Sequence, residues 1–173
     1  MSTVDSVLDD FDDDEVYYDP QMSELVDEGS YPATIIDLTS KKITTKRGNK
    51  AMLYLPVYQI DDTVTRYAGK SVRDSGIWRF VGTKDESGVR ITGGSNAGYK
   101  QFLDKFSIPL KELEVDDRTV YKLPSIPKEL VLDKSVVISV SHEEWEGVNG
   151  RNITPVATLV RVRNGSDDGQ GRS

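Results

Sequence analysis

Hydrophobic and polar positions alternate in several short stretches of this chain, and in one stretch they repeat at helical spacing instead. SYPATIIDL (30–38) is rich in β-branched residues and lies among turn signals at Gly29 and Pro32. MLYLPVYQI (52–60) alternates with period two, Leu53, Leu55 and Val57 falling on one face and Met52, Tyr54, Tyr58 and Ile60 on the other. The pattern predicts a half-buried strand with the Leu53 face inward and the tyrosines outward. GIWRFV (76–81) sets Trp78 and Phe80 on one face, where large aromatics are expected to enter the core, and Arg79 on the other. SVVISVSH (135–142) and TPVATLVRVR (154–163) keep the same period. Between these groups Tyr99, Phe102, Leu103 and Phe106 recur at i, i+3, i+4 and i+7, with Ser95 or Asn96 placed to cap and Pro109 placed to stop the run.

Turn residues divide the strands. KKITTKRGNK (41–50) reads as a basic hairpin turning at Gly48 and Asn49, Asp61 and Asp62 mark a second turn, Gly69 a third, and TKDESG (83–88) a loop. Residues 110–134 are a charged connection with Pro124 and Pro127. Three strands, a helix and two strands is the element order of a mainly β, five-stranded OB-like barrel with one helix between strands three and four. A jelly roll would need eight strands, more than the pattern supplies. At 173 residues the chain suits one domain, residues 29–163, between an N-terminal arm (1–28) and a short tail (164–173) expected to be flexible.

Charge changes this picture. Residues 1–40 hold twelve acidic side chains and no basic one, a charge of −12, and the rest hold all 22 Lys and Arg against 17 acids, a charge of +5, so the net −7 hides a basic body with an acidic arm. Eleven of those acids fall within residues 1–28, which are too acidic and too poor in aliphatics to order alone. Phe11, Tyr17 and Tyr18 within that arm are candidates for partner binding; a solubilising tail is the plainer alternative. The start of the chain lacks a secretory pattern and no apolar run nears the ~20 residues that span a bilayer, which gives a cytoplasmic expectation.

Chemistry is narrowly bounded. With no cysteine, thiol catalysis and disulfides are excluded; with only His142 and carboxylates left as ligands a zinc site is not expected, and no Ser–His–Asp set can be argued. Asp10, Asp12 and Asp14 have calcium-loop spacing, but Glu15 and Gln21 stand where the glycine and bidentate glutamate belong. AGKS (68–71) lacks the first glycine of a phosphate loop and precedes a strand. Neither a cofactor nor a catalytic residue is expected. What the chain does offer is cations among aromatics, the composition that single-strand binding uses. Lys41, Lys42, Lys46, Arg47, Lys50, Arg66, Lys70, Arg73, Arg79, Arg151, Arg161 and Arg163 are the candidate phosphate contacts, and Tyr54, Tyr58, Tyr67 and Trp145 the candidate stacking residues.

The segments EGSYPATI (28–35), KRGNKAML (46–53), RYAGKSVRD (66–74), KFSIP (105–109) and WEGVNGRNIT (145–154) resemble a loosely defined group of bacteriophage single-stranded DNA-binding proteins with OB folds. The resemblance implies a non-enzymatic protein that coats single strands during replication or recombination in the cytoplasm of an infected cell. It implies polymerase, helicase or recombinase partners for the acidic arm, although in that group the acidic tail lies at the C-terminus. The alternative reading is a phage structural or assembly protein using the barrel and arm for protein contacts, and a carboxylate-dependent nuclease is a weaker third.

Overall fold

The computed structural model describes residues 15–17, 25–84, 86, 88–148 and 150–163. Among these, the strands are β1 (Gly29–Thr44), β2 (Lys50–Ile60), β3 (Ser71–Asp74), β4 (Ile77–Phe80), β5 (Glu112–Val115), β6 (Arg118–Tyr121), β7 (Ser135–Gly147) and β8 (Gly150–Val162). The helices are α1 (Ala97–Lys105), entered through a 3-10 turn at Gly94–Asn96, and the single turn α2 (Lys128–Val131). β5 and β6 form a separate hairpin inside the charged connection, where the sequence pattern predicts no element.

Five strands close on themselves. β1 pairs with β2, β2 with β3, β3 in parallel with β8, β8 with β7, and β7 returns to β1. α1 falls in the chain between β4 and β7 and packs Tyr99, Phe102 and Leu103 into the core, as its spacing predicts. Its N-terminus differs from expectation. Asn96 makes no cap bond; its amide instead accepts from the Phe80 N–H at 2.7 Å and donates to the Phe80 carbonyl at 2.9 Å, standing in for the next strand of the sheet. Both backbone groups of Phe80 are thereby satisfied at an open sheet edge, and the helix is tied to β4.

The face assignment of β2 is inverted relative to the sequence reading. Tyr54, Pro56, Tyr58 and Ile60 are buried inside the barrel with Ala33, Ile35, Leu38, Val72, Val136, Ile138 and Val140. Leu55 and Val57 lie half-exposed on the outside, with Leu53 beside them under neighbouring side chains. A period of two separates the faces but does not say which is inward. Two of the interior tyrosines find internal partners for their hydroxyls: Tyr58 donates to the Asp74 carboxylate at 2.6 Å and Tyr99 to the Pro124 carbonyl.

β3 and β4 are one strand interrupted at Ser75 and Gly76. The interruption leaves Leu55 and Pro56 of β2 without a partner on that side, and Pro56, which has no N–H to donate, sits opposite the break. Gly76 has φ +120°, a conformation that favours glycine, and a Cβ there would stand in tight contact, 3.0 Å, with Leu53 Cδ1. Its N–H donates to Asp74 at 2.8 Å, which fixes the bend.

Candidate nucleic-acid interface

Cross-strand register builds the outer surface row by row, since residues directly opposite one another share a face. Lys41, Leu53 and Trp78 form one row across β1, β2 and β4, and Ile43, Ala51 and Phe80 the next. Farther along, Asp37, Val57, Arg73 and Val156 make a row across β1, β2, β3 and β8. An apolar stripe of Ala51, Leu53, Leu55 and Val57 therefore runs down the outside of β2, with two aromatic rings on one flank and Lys41 and Arg73 at its margins.

Trp78 and Phe80 are stacked, with centroids 5.8 Å apart and planes 12° from parallel. Sequence reasoning places them in the core. They are half-buried instead, because the residues facing them, Leu53 and Ala51, are on the outer side of β2. Beside them a cavity of about 290 Å³ opens between β4, α1 and β8, lined by Asp74, Trp78, Phe80, Tyr99, Phe102 and Lys105 among others. Burial pushes the Asp74 carboxyl above its ordinary range, against the downward pull of the bonds from Tyr58 and Gly76 and of the Lys105 ammonium. The same burial, with the Asp74 carboxylate adjacent, drives the Tyr58 phenol upward, so it stays a donor at physiological pH.

The expected stacking residues divide sharply. Tyr54, Tyr58 and Tyr67 are buried and present no free ring face, which corrects the expectation that they stack on bases. Tyr67 packs edge-on against Tyr31 at 5.8 Å, carries the Arg66 guanidinium over its ring at 5.2 Å, and has a buried hydroxyl with no hydrogen-bond partner among the described residues. Trp145 is 53% exposed and its indole N–H donates to Thr154 at 3.0 Å.

The cations divide too. Lys41, Lys42, Lys46, Arg47 and Lys50 are exposed together on the β1–β2 hairpin, whose strands stay paired to Thr44 and Lys50. No acid occurs between Asp37 and Asp61, so the hairpin carries unopposed positive charge within its own sequence. Arg73 is exposed on the outer face. The structure separates the others from this group. Arg66 pairs with Asp27 at 3.3 Å, and Arg163 with Asp61 at 3.0 Å in a half-buried position. Arg79 points to the other side of β4 and donates to the Leu123 carbonyl at 3.0 Å. Lys70 is half-buried in the turn before β3, and Arg161 is exposed on the β7–β8 wall opposite Val137.

Arg151 lies on the β7–β8 hairpin, which is longer than its sequence suggests: pairing continues to Gly147 and Gly150. This hairpin runs on past Gly29, the first residue of β1, whereas the basic hairpin closes at the far end of the same strand. Arg151 pairs with Glu144 at 3.2 Å, beside Glu143 and Glu146, and Val148 and Ile153 are exposed. Its charge is acidic where the first hairpin is basic.

The acidic arm ends in a fixed contact. Val26 is buried against the barrel, its carbonyl lies 2.7 Å from His142 Nε2, and the Glu28 carboxylate accepts from the His142 N–H at 3.2 Å. His142 thus has a structural role. Tyr17 is exposed, its hydroxyl donating to Glu15 at 3.0 Å; Phe11, Tyr18 and the tail from residue 164 lie outside the described residues.

Sequence reasoning missed Trp78, Phe80 and Lys105 as site residues. No local signal gave the first two away, because the face of Trp78 follows that of its cross-strand neighbour Leu53, a pairing that only the fold supplies. Among the described residues no helix is long and apolar enough to cross a membrane, and no three His, Asp or Glu side chains cluster to hold a metal. No family model matches the chain, and a search of curated proteins returns no significant match.

Proposed function

We propose that this protein is a non-enzymatic, OB-like single-stranded DNA-binding protein of bacteriophage type, acting in replication or recombination. The observation that carries the reading is the stacked, half-buried Trp78–Phe80 pair on the outer sheet face, with Lys41 in the row of Trp78 and a hairpin of five cations without an acid beside it. Flat rings on a solvated face offer stacking to bases of any sequence, and adjacent cations neutralise phosphates. The closure order β1-β2-β3-β8-β7, with a helix between the third and fourth barrel strands, supports the OB-like description. In that fold the face of the second and third strands and the two hairpins at its margins take oligonucleotides. Phosphate contacts fall to Lys41, Lys42, Lys46, Arg47, Lys50 and Arg73, and stacking to Trp78 and Phe80.

The β7–β8 hairpin favours a second activity. Exposed Trp145, Val148 and Ile153 among Glu143, Glu144 and Glu146 suit a protein contact better than a phosphate backbone, which keeps the structural or assembly reading as the alternative. The deciding experiment is fluorescence anisotropy with labelled oligo-dT and with duplex of equal length over a salt series. Tight, salt-sensitive binding to the single strand and weak binding to the duplex supports the proposal. Absence of binding at low salt overturns it in favour of the assembly role.

A further inference from the structure

The cavity beside the Trp78–Phe80 pair has the makings of a recognition pocket, not of a plain stacking platform. At about 290 Å³ it falls at the lower end of the ~300 to 1,000 Å³ typical of small-ligand pockets. Its buried lining is apolar and aromatic, from Ile77, Tyr99, Phe102 and Leu159, and the half-buried Trp78 and Phe80 complete it. Its polar lining residues are few: Asp74, Lys105, Ser75, Ser95, Gln101 and Thr158.

Asp74 gives the cavity its chemical preference. The side chain is almost completely buried, and each oxygen accepts one internal hydrogen bond, Oδ2 from Tyr58 and Oδ1 from Gly76. A carboxylate has about four acceptor sites, so acceptor capacity is left for a donor entering the cavity. A buried acceptor at an aromatic-walled pocket selects a planar ring bearing an N–H donor group and rejects one that presents a carbonyl oxygen there. Among nucleobases, cytosine, adenine and guanine carry an exocyclic amino group that donates, whereas thymine has none, and its one ring N–H donor is flanked by two carbonyl oxygens that a carboxylate repels.

We infer that this cavity takes one base of the bound strand, edge first, and that Asp74 accepts a hydrogen bond from its exocyclic amino group, with Lys105 beside the entering nucleotide. The inference rests on the single-strand reading above and alters one part of it. Binding through the outer face is indifferent to sequence; binding through the cavity favours amino-bearing bases over thymine.

Gly98 makes the test clean. It lines the cavity from α1, and a Cβ added there meets no heavy atom within 4 Å, so Gly98→Leu starts a side chain in open space at the cavity wall and improves helix propensity; an unchanged melting temperature checks that the fold is kept. Affinities of the full chain for oligo-dC and oligo-dT of equal length are measured at neutral pH for the wild type, Gly98→Leu and Asp74→Asn. The expected result is about tenfold tighter binding of oligo-dC by the wild type, the order expected for one well-placed base contact. Gly98→Leu binds both strands alike, at the wild-type affinity for oligo-dT. Asp74→Asn removes or reverses the preference, because its amide presents a donor as well as an acceptor. Equal wild-type affinities for the two strands overturn the pocket and leave the single-strand reading intact. A preference undiminished in Gly98→Leu places base discrimination elsewhere and also overturns the pocket. Failure of both strands to bind at low salt overturns the single-strand reading, and the pocket with it.

Discussion

The sheet of β2 and β4 has two aromatic faces, and they do opposite work. On the inner face Tyr54 and Tyr58 are buried, and the hydroxyl of Tyr58 is held by the Asp74 carboxylate. On the outer face Trp78 and Phe80 stack on each other over Leu53 and Ala51, half in solvent. Residue type does not separate the two sets, since tyrosine is as good a stacking residue as tryptophan is a core residue. What separates them is a distant partner: the inner face holds the polar tip of Tyr58 inside the barrel because Asp74, sixteen positions along the chain, is folded against it. A buried hydroxyl without that acceptor would be costly.

The most damaging change to this arrangement is Tyr58→Ala, which removes a fully buried ring and leaves the Asp74 carboxylate short of a donor. We predict a loss of roughly 3 to 5 kcal/mol in unfolding free energy by urea denaturation. Affinity of the folded fraction for oligo-dT, which does not depend on Asp74, should be unchanged. A mutant of near wild-type stability that no longer binds DNA would exchange the roles of the two faces.

The next largest effect belongs to the basic hairpin. Replacing Lys41, Lys42, Lys46 and Arg47 together by Ala should flatten the log–log salt dependence of single-strand binding by ~0.7 for each phosphate no longer neutralised, about 2 to 3 in total. An unaltered slope would make the hairpin a solvated edge. Trp78→Ala follows, with an expected loss of ~1 to 3 kcal/mol in binding and a smaller loss of stability than Tyr58→Ala, because the ring is only half-buried. Equal damage to stability from the two substitutions would erase the distinction between faces.

Asp74 supplies a pH test. Its carboxyl is raised in the folded state by burial, so the folded protein holds that proton at pH values where the unfolded chain has released it. The associated stability is fully present below the ordinary carboxylate range and is lost as pH rises through the raised folded value. Unfolding free energies measured upward from about pH 4 should therefore decline more in the wild type than in Asp74→Asn, and parallel profiles would mean that Asp74 does not titrate between the two states. The smallest effect is expected from Glu143, Glu144 and Glu146 changed to Gln. These acids sit on the other hairpin, and removing them should leave the salt slope of DNA binding unchanged within error; a markedly steeper slope would bring that hairpin into the DNA path.

Amino-acid order alone dictates the helix, since Tyr99, Phe102 and Leu103 repeat with the period that only a helix turns to one side, and it locates β1, β2, β7, β8 and the charge division between arm and body; the third barrel strand it misses, taking β4 for it, because Ser71–Asp74 is too short to show a period. The unopposed basic hairpin is equally legible, because charge depends on composition alone. The hairpin β5–β6 and the extension of β7 and β8 past His142 are not, since their exposed residues carry little hydrophobic signal. Above all, the side of β2 that lies inside is settled by tertiary packing and by nothing local. Sequence reading groups Leu53, Leu55 and Val57 on one face and Trp78 with Phe80 on another strand's face, and it turns both inward. They do face the same way, as the pairing of Leu53 with Trp78 requires, but both are turned outward. Alternation fixes which residues travel together; the direction comes from barrel closure, which brings Asp74 to Tyr58 and packs α1 against the same interior, and those contacts join residues far apart in the chain.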